Sequence, residues 1–87
     1  MVSKKVTISN MVGLHIGPAG KLCDIAVGYE SHIVFKYRDY GEANMKSMLS
    51  VLGAGIRSGE EIEIICDGPD EEEALNKIVA LIESNFE

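Results

Sequence analysis

The apolar period of this chain switches repeatedly between two, the repeat of a half-buried strand, and about 3.6, the repeat of an amphipathic helix. Few folds accommodate that order of switches. Residues Val2 to Ser9 alternate, with Val6 and Ile8 on one side and Lys5, Thr7 and Ser9 on the other, which predicts a strand with one buried face. From Ile16 to Val27 the spacing turns helical: Ala19, Leu22, Cys23 and Ala26 share an inward face. Gly17, Gly20, Lys21 and Asp24 lie opposite, flanked by Ile16 and Val27, on a thin and weakly polar surface that suits a partner. Ile33, Phe35 and Tyr37 then alternate with His32, Val34 and Lys36, and Arg38 to Gly41 supply the turn of a hairpin. In Ser47 to Leu52 the residues Met48, Leu49, Val51 and Leu52 crowd too closely for alternation before Gly53 and Gly55, predicting a short helix. Glu60 to Asp67 returns to period two, with Ile62, Ile64 and Cys66 against Glu61, Glu63 and Ile65, after a turn at Ser58 and Gly59. From Asp70 onward Ala74, Leu75, Ile78, Leu81 and Ile82 mark the longest helix, and Glu71, Glu72 and Glu73 read as solvated charge at its positive end.

The order β-α-β-β-α-β-α runs through all 87 residues without repeat or linker, so one domain over 1–87 is expected. It would be an α+β sandwich with helices on one sheet face. Cys23 and Cys66 each fall in an apolar pattern and read as free buried thiols. Two histidines and two cysteines at scattered spacing do not form a zinc motif, so no metal and no cofactor is expected. A formal net charge of −6 opposes nucleic-acid binding, which draws on a positive field. No apolar run approaches membrane-spanning length, and no secretory leader precedes the first strand, so a cytoplasmic location is expected.

The chemistry concentrates in Gly13-Leu14-His15-Ile16-Gly17-Pro18-Ala19-Gly20, the connection from the first strand into the first helix. The first amides of a helix have no intrahelical acceptor and, with the dipole, favour an anion such as phosphate. Pro18 fits the first turn, where its missing N–H costs little. Gly17 and Gly20 each weaken a helix by about 1 kcal/mol against alanine, which suggests close approach by a ligand or another chain. An imidazole at that position can act as a nucleophile near neutral pH and carry a phosphoryl group. On the residues alone, a lone histidine before a helix is more often an exposed loop residue or a cap than a catalytic group.

Gly13-Leu14-His15, followed by Pro18-Ala19, resembles the active-site signature of HPr, the histidine-containing phosphocarrier family of the sugar phosphotransferase system. Asn44 to Leu52, with Ser47 within it, resembles the family's second signature around the regulatory serine of Gram-positive members. The resemblance covers the whole chain. It implies an open-faced sandwich, a four-stranded antiparallel sheet with three helices on one face. It also implies that His15, through Nδ1, accepts phosphate from enzyme I and passes it to enzyme II A domains. Ser47 would be the target of an HPr kinase/phosphorylase, with a carbon-catabolite transcription regulator as a further partner and a monomer as the working form. A serine opening a short helix is also an N-cap by default. The residues expected to meet partners are Gly20, Asp24, Val27, Met48, Leu49, Val51 and Leu52.

The chain departs from the family at one position that matters. Where the family has an arginine two residues after the histidine, this chain has Gly17, so the phosphate would rest on the amides of Ile16 and Gly17 and on a cation from elsewhere. Arg57 is the first candidate and Lys21 the second. Basic residues that the family carries along helix one are replaced by Asp24 and Val27, which removes electrostatic steering toward an acidic enzyme I. A regulatory paralogue controlled at Ser47, of the Crh kind, is therefore the alternative, although Crh-like proteins lack the histidine. His32 is expected on the exposed side of its strand, Met45 and Met48 in the core or a small docking patch, and Tyr29, Tyr37 and Tyr40 in packing or turns.

Overall fold

A computed structural model describes residues 1–87. Four strands, β1 (Val2–Thr7), β2 (His32–Tyr37), β3 (Gly41–Asn44) and β4 (Glu61–Asp67), form one sheet in the order β1-β4-β2-β3. All three pairings are antiparallel. Helices α1 (Ile16–Ala26), α2 (Met48–Ala54) and α3 (Glu71–Glu83) cover one face, giving the open-faced sandwich and the element order read from the sequence. No helix is long and apolar enough to cross a membrane.

Register fixes which side chains turn inward, because a slip by one residue would send every core residue to solvent. Val6 pairs with Ile62, and Phe35 and Ile33 pair with Ile64 and Cys66. Against them pack Ala19, Leu22 and Ala26 of α1 and Ala74, Leu75, Ile78, Val79 and Ile82 of α3, within a cluster of 22 buried residues. Burying one such Leu or Ile contributes about 1.5–3 kcal/mol. Met45 and Phe86 join this core. Tyr29 and Tyr37 are half-buried against it, and Tyr40 stands exposed at the hairpin tip.

Three expectations need correction. Both cysteines are free, but only Cys66 is buried, its thiol pushed up to about 11 by desolvation. Cys23 is half-buried and donates to the Lys46 carbonyl at 3.3 Å, because α1 presents that position to the chain before α2 rather than to the sheet. Val34, placed on the outer side with His32 and Lys36, is buried, since it lies in the middle of the sheet between Asn44 and Ile65. Of the acids at the start of α3, Glu72 and Glu73 are exposed as expected, whereas Glu71 and the preceding Asp70 are engaged by the fold. The Asp70 carboxylate turns back to accept the backbone amides of Glu30 and Ser31, both at 2.9 Å, and the Ser31 hydroxyl. These bonds, led by that from Ser31, hold its pKa below the ordinary carboxylate value, and Glu71 accepts from the Gly68 amide at 3.1 Å.

Candidate functional site

The connection from β1 to α1 is held in place by its own backbone. Gly13 has φ +68°, and a Cβ there would lie 2.5 Å from the Ile56 carbonyl oxygen and 2.9 Å from Arg57 Cα. Only glycine permits both that conformation and that approach. The neighbouring Leu14 is buried and its amide donates to Ile56 O at 3.0 Å, while the Asn10 side-chain amide donates to Gly13 O at 2.9 Å. His15 follows directly. It is the N-cap of α1 with extended backbone, φ −79° and ψ −178°, its side chain makes no capping bond, and it is exposed.

The first turn of α1 leaves a small set of donors. Ala19 N already bonds to His15 O at 2.8 Å, and Pro18 has no N–H. Ile16 and Gly17 therefore supply the amides at this end that lack a carbonyl four residues back. Gly17 has open space where a side chain would stand, so internal packing does not require a glycine there. A Cβ on Gly20 would sit 3.7 Å from Met48 Cε, an ordinary contact between α1 and α2.

The two candidate cations differ in their commitments. Lys21 donates from Nζ to the Phe86 carbonyl at 2.6 Å, so its ammonium serves the C-terminal segment and drops out as a phosphate ligand. Arg57 lies with its backbone against Gly13, is exposed, and enters none of the molecule's ion pairs. Its amide donates to Glu60 Oε2 at 2.6 Å, and this bond, with the charge of Arg38, holds the Glu60 carboxyl below its ordinary pKa. Asn10, Arg38 and Glu60, which shape this loop region, carry no mark of that role in the sequence. It arises from partners 3 to 22 residues away, and no local pattern signals it.

Ser47 caps α2. Its Oγ accepts from Ser50 N at 3.2 Å, and Ser50 Oγ accepts from Asn44 N at 2.9 Å. The helix begins at Met48 and runs to Ala54, one residue later and two further than the apolar run suggested, because Gly53 continues the helix and Gly55 ends it. Among the expected partner residues, Leu49 and Val27 are well exposed, whereas Val51 is fully buried and belongs to the core: α2 turns that position toward the sheet. Asp24 is exposed, and Gly20, Met48 and Leu52 are half-buried. Met11, Val12 and Ile16, close to His15 in the chain, add further exposed apolar surface.

A family model described as the phosphotransferase-system HPr component phosphorylation site matches residues 2–84. The phosphocarrier protein NPr of Escherichia coli K12 is 34% identical over 86 residues, covering 99% of this chain and 96% of that protein. The crystal structure of an HPr from Thermoanaerobacter tengcongensis superposes with a TM-score of 0.94 at 34% identity, covering 99% of this chain and 96% of the other. Crh of Bacillus subtilis, a catabolite-repression protein crystallised as a swapped dimer, superposes at 0.76 with 29% identity, covering 98% and 97%.

Proposed function

The chain belongs to the HPr family of phosphotransferase-system components, and from that premise we propose that it carries a phosphoryl group on His15. The observation that supports this reading is the placement of His15: an exposed imidazole at the N-cap of α1, on a loop pinned to Ile56, beside the open amides of Ile16 and Gly17. The Nδ1 lone pair attacks phosphorus as the bond to the donor, phosphorylated enzyme I, breaks. The acquired charge is met by the two amides, by the α1 dipole and by Arg57, which takes the place of the family's arginine. An enzyme II A domain then draws the group off by the reverse of the same displacement. A cytoplasmic location and a monomeric carrier fit this role, and sedimentation checks the second against the swapped dimer known for Crh.

The test is incubation with phosphoenolpyruvate and enzyme I. We expect an acid-labile, alkali-stable phosphate that disappears in His15→Gln, and failure to label the native protein would end the carrier reading. One observation favours a second reading, a regulatory paralogue modified on Ser47. Gly17 replaces the arginine, and Ser47 opens α2 with its hydroxyl half-buried at the cap. That reading expects ATP-dependent labelling by HPr kinase/phosphorylase on Ser47, lost in Ser47→Ala, with the labelled form retaining a carbon-catabolite transcription regulator on a column.

A further inference from the structure

The β2–β3 turn sends one side chain across to the loop that carries Arg57. Arg38 has φ +52°, an uncommon backbone for a non-glycine residue, and its guanidinium lies 5.2 Å from the centre of the Tyr37 ring. From there Nη1 donates to Ala54 O at 3.1 Å and Nη2 to Gly55 O at 3.0 Å, satisfying carbonyls at the C-terminal end of α2 where a cation also suits the dipole. The guanidinium is also paired with Glu60: Nε lies 3.0 Å from Oε1, and Nη2 donates to Oε2 at 3.3 Å. The same Glu60 holds the Arg57 amide. One side chain thus closes the loop from Ala54 to Glu60, and that loop's Ile56 carbonyl holds Leu14, the residue before His15.

We propose that Arg38 is a positioning residue for phosphate on His15: it occupies Glu60 and fixes the Ala54–Glu60 loop, so that the Arg57 guanidinium stays free to face the phosphoryl group. The inference rests on the role given to Arg57 above. Glu60 lies three residues from Arg57 and is the nearest carboxylate in sequence that competes with a phosphate for its guanidinium. A carboxylate paired with Arg38 on both oxygens has little left to offer Arg57, whereas without Arg38 it would draw the Arg57 side chain down to itself. The guanidinium fork is what allows one residue to bind two carbonyls and a carboxylate at once, which a lysine cannot reproduce.

The lifetime of the phosphohistidine reads this without enzyme I. Potassium phosphoramidate phosphorylates imidazole directly: the bond from phosphorus to the amine nitrogen breaks, ammonia leaves, and the Nδ1–phosphorus bond forms. The exposed His32 is removed by working in a His32→Gln background, and decay is followed by phosphorus NMR. Arg57→Ala and Arg38→Ala should each shorten the lifetime about threefold or more, within the range for coupled groups in one network. Arg38→Lys, which keeps the charge and guards against a variant that fails to fold, should shorten it by less. In the Arg57→Ala background, Arg38→Ala should add less than about 1.5-fold, because its effect passes through Arg57. An unchanged lifetime in Arg38→Ala and Arg38→Lys, or an Arg38 effect that persists in full without Arg57, overturns the proposal. If phosphoramidate labels His15 and enzyme I does not, the carrier reading falls while these lifetimes still decide the role of Arg38.

Discussion

The starts of α1 and α2 solve the same problem in opposite ways. Every helix begins with amides that need acceptors. At α2 the protein supplies one from within, since Ser47 Oγ takes the Ser50 amide, and Ser50 Oγ in turn ties down Asn44. At α1 it supplies none: His15 stands at the cap position without a capping bond, Pro18 removes one donor, and Ile16 and Gly17 remain open. A closed helix start adds stability to the fold, whereas an open one keeps its donors for an anion that comes and goes. The consequence for modification is direct. Phosphate on His15 would meet the amides of Ile16 and Gly17 with no capping bond to displace, whereas phosphate on Ser47 would take over the cap already formed on Ser50, gaining from the dipole while placing negative charge beside exposed Leu49.

The open start at α1 depends on the loop beneath it, so the largest break in this comparison should come from Gly13. In Gly13→Ala the new methyl meets Ile56 O and Arg57 Cα at a positive φ. Strain and overpacking together should cost about 2–4 kcal/mol. Thermal melting should show a drop in Tm of more than about 10 °C for a domain of this size. Hydrogen exchange should quicken at the Leu14 amide. A melting point within a degree or two of the native protein would mean that the loop is not held as tightly as its contacts imply.

At the closed start the effect should be smaller. Ser47→Ala removes the acceptor for the Ser50 amide and should cost about 1 kcal/mol, read as a shift in denaturant midpoint without a change in slope. The variant should still be labelled on His15 at the native rate, because the two helix starts share no bond. A slower transfer in Ser47→Ala would join the two regions and undo the contrast.

What the sequence made legible follows from the range of the interactions. Period and turn chemistry are local, so the order of elements, the inward faces of Phe35, Ile62, Ile64 and Ile78, and the cap at Ser47 could all be read along the chain. The place of His15 at a helix start was legible because that too is a local feature, and the motif around it pointed to one family. Residues whose surroundings are set by distant segments were read less well. Cys23 and Val51 sit in apolar runs, yet only the packing of α1 against α2, and of α2 over the sheet, determines which of them is fully buried. Lys21 looked available until Phe86, 65 residues away, took its ammonium. Arg38 looked like turn chemistry, and Glu71 like solvated charge, until the Ala54–Glu60 loop and the N-terminus came into contact with them.

The smallest expected effect on stability is also the sharpest test of whether the open start is short of a cation. Gly17 lies on the exposed face of α1 with nothing within 4 Å of the place a Cβ would take, so Gly17→Arg meets no steric obstacle. Gly17 is the second residue of α1, so the propensity gain of about 0.8 kcal/mol is offset by placing a cation at the positive end of the helix dipole, and Tm should change by no more than about 3 °C. Its chemical effect depends on what Arg57 already does. If Arg57 serves the phosphate, a second guanidinium adds little in the native background, and the gain in phosphohistidine lifetime should appear chiefly when Arg57 is alanine. An equal gain in both backgrounds would show that the two arginines act independently, and that Arg57 does not fill the place that glycine left empty.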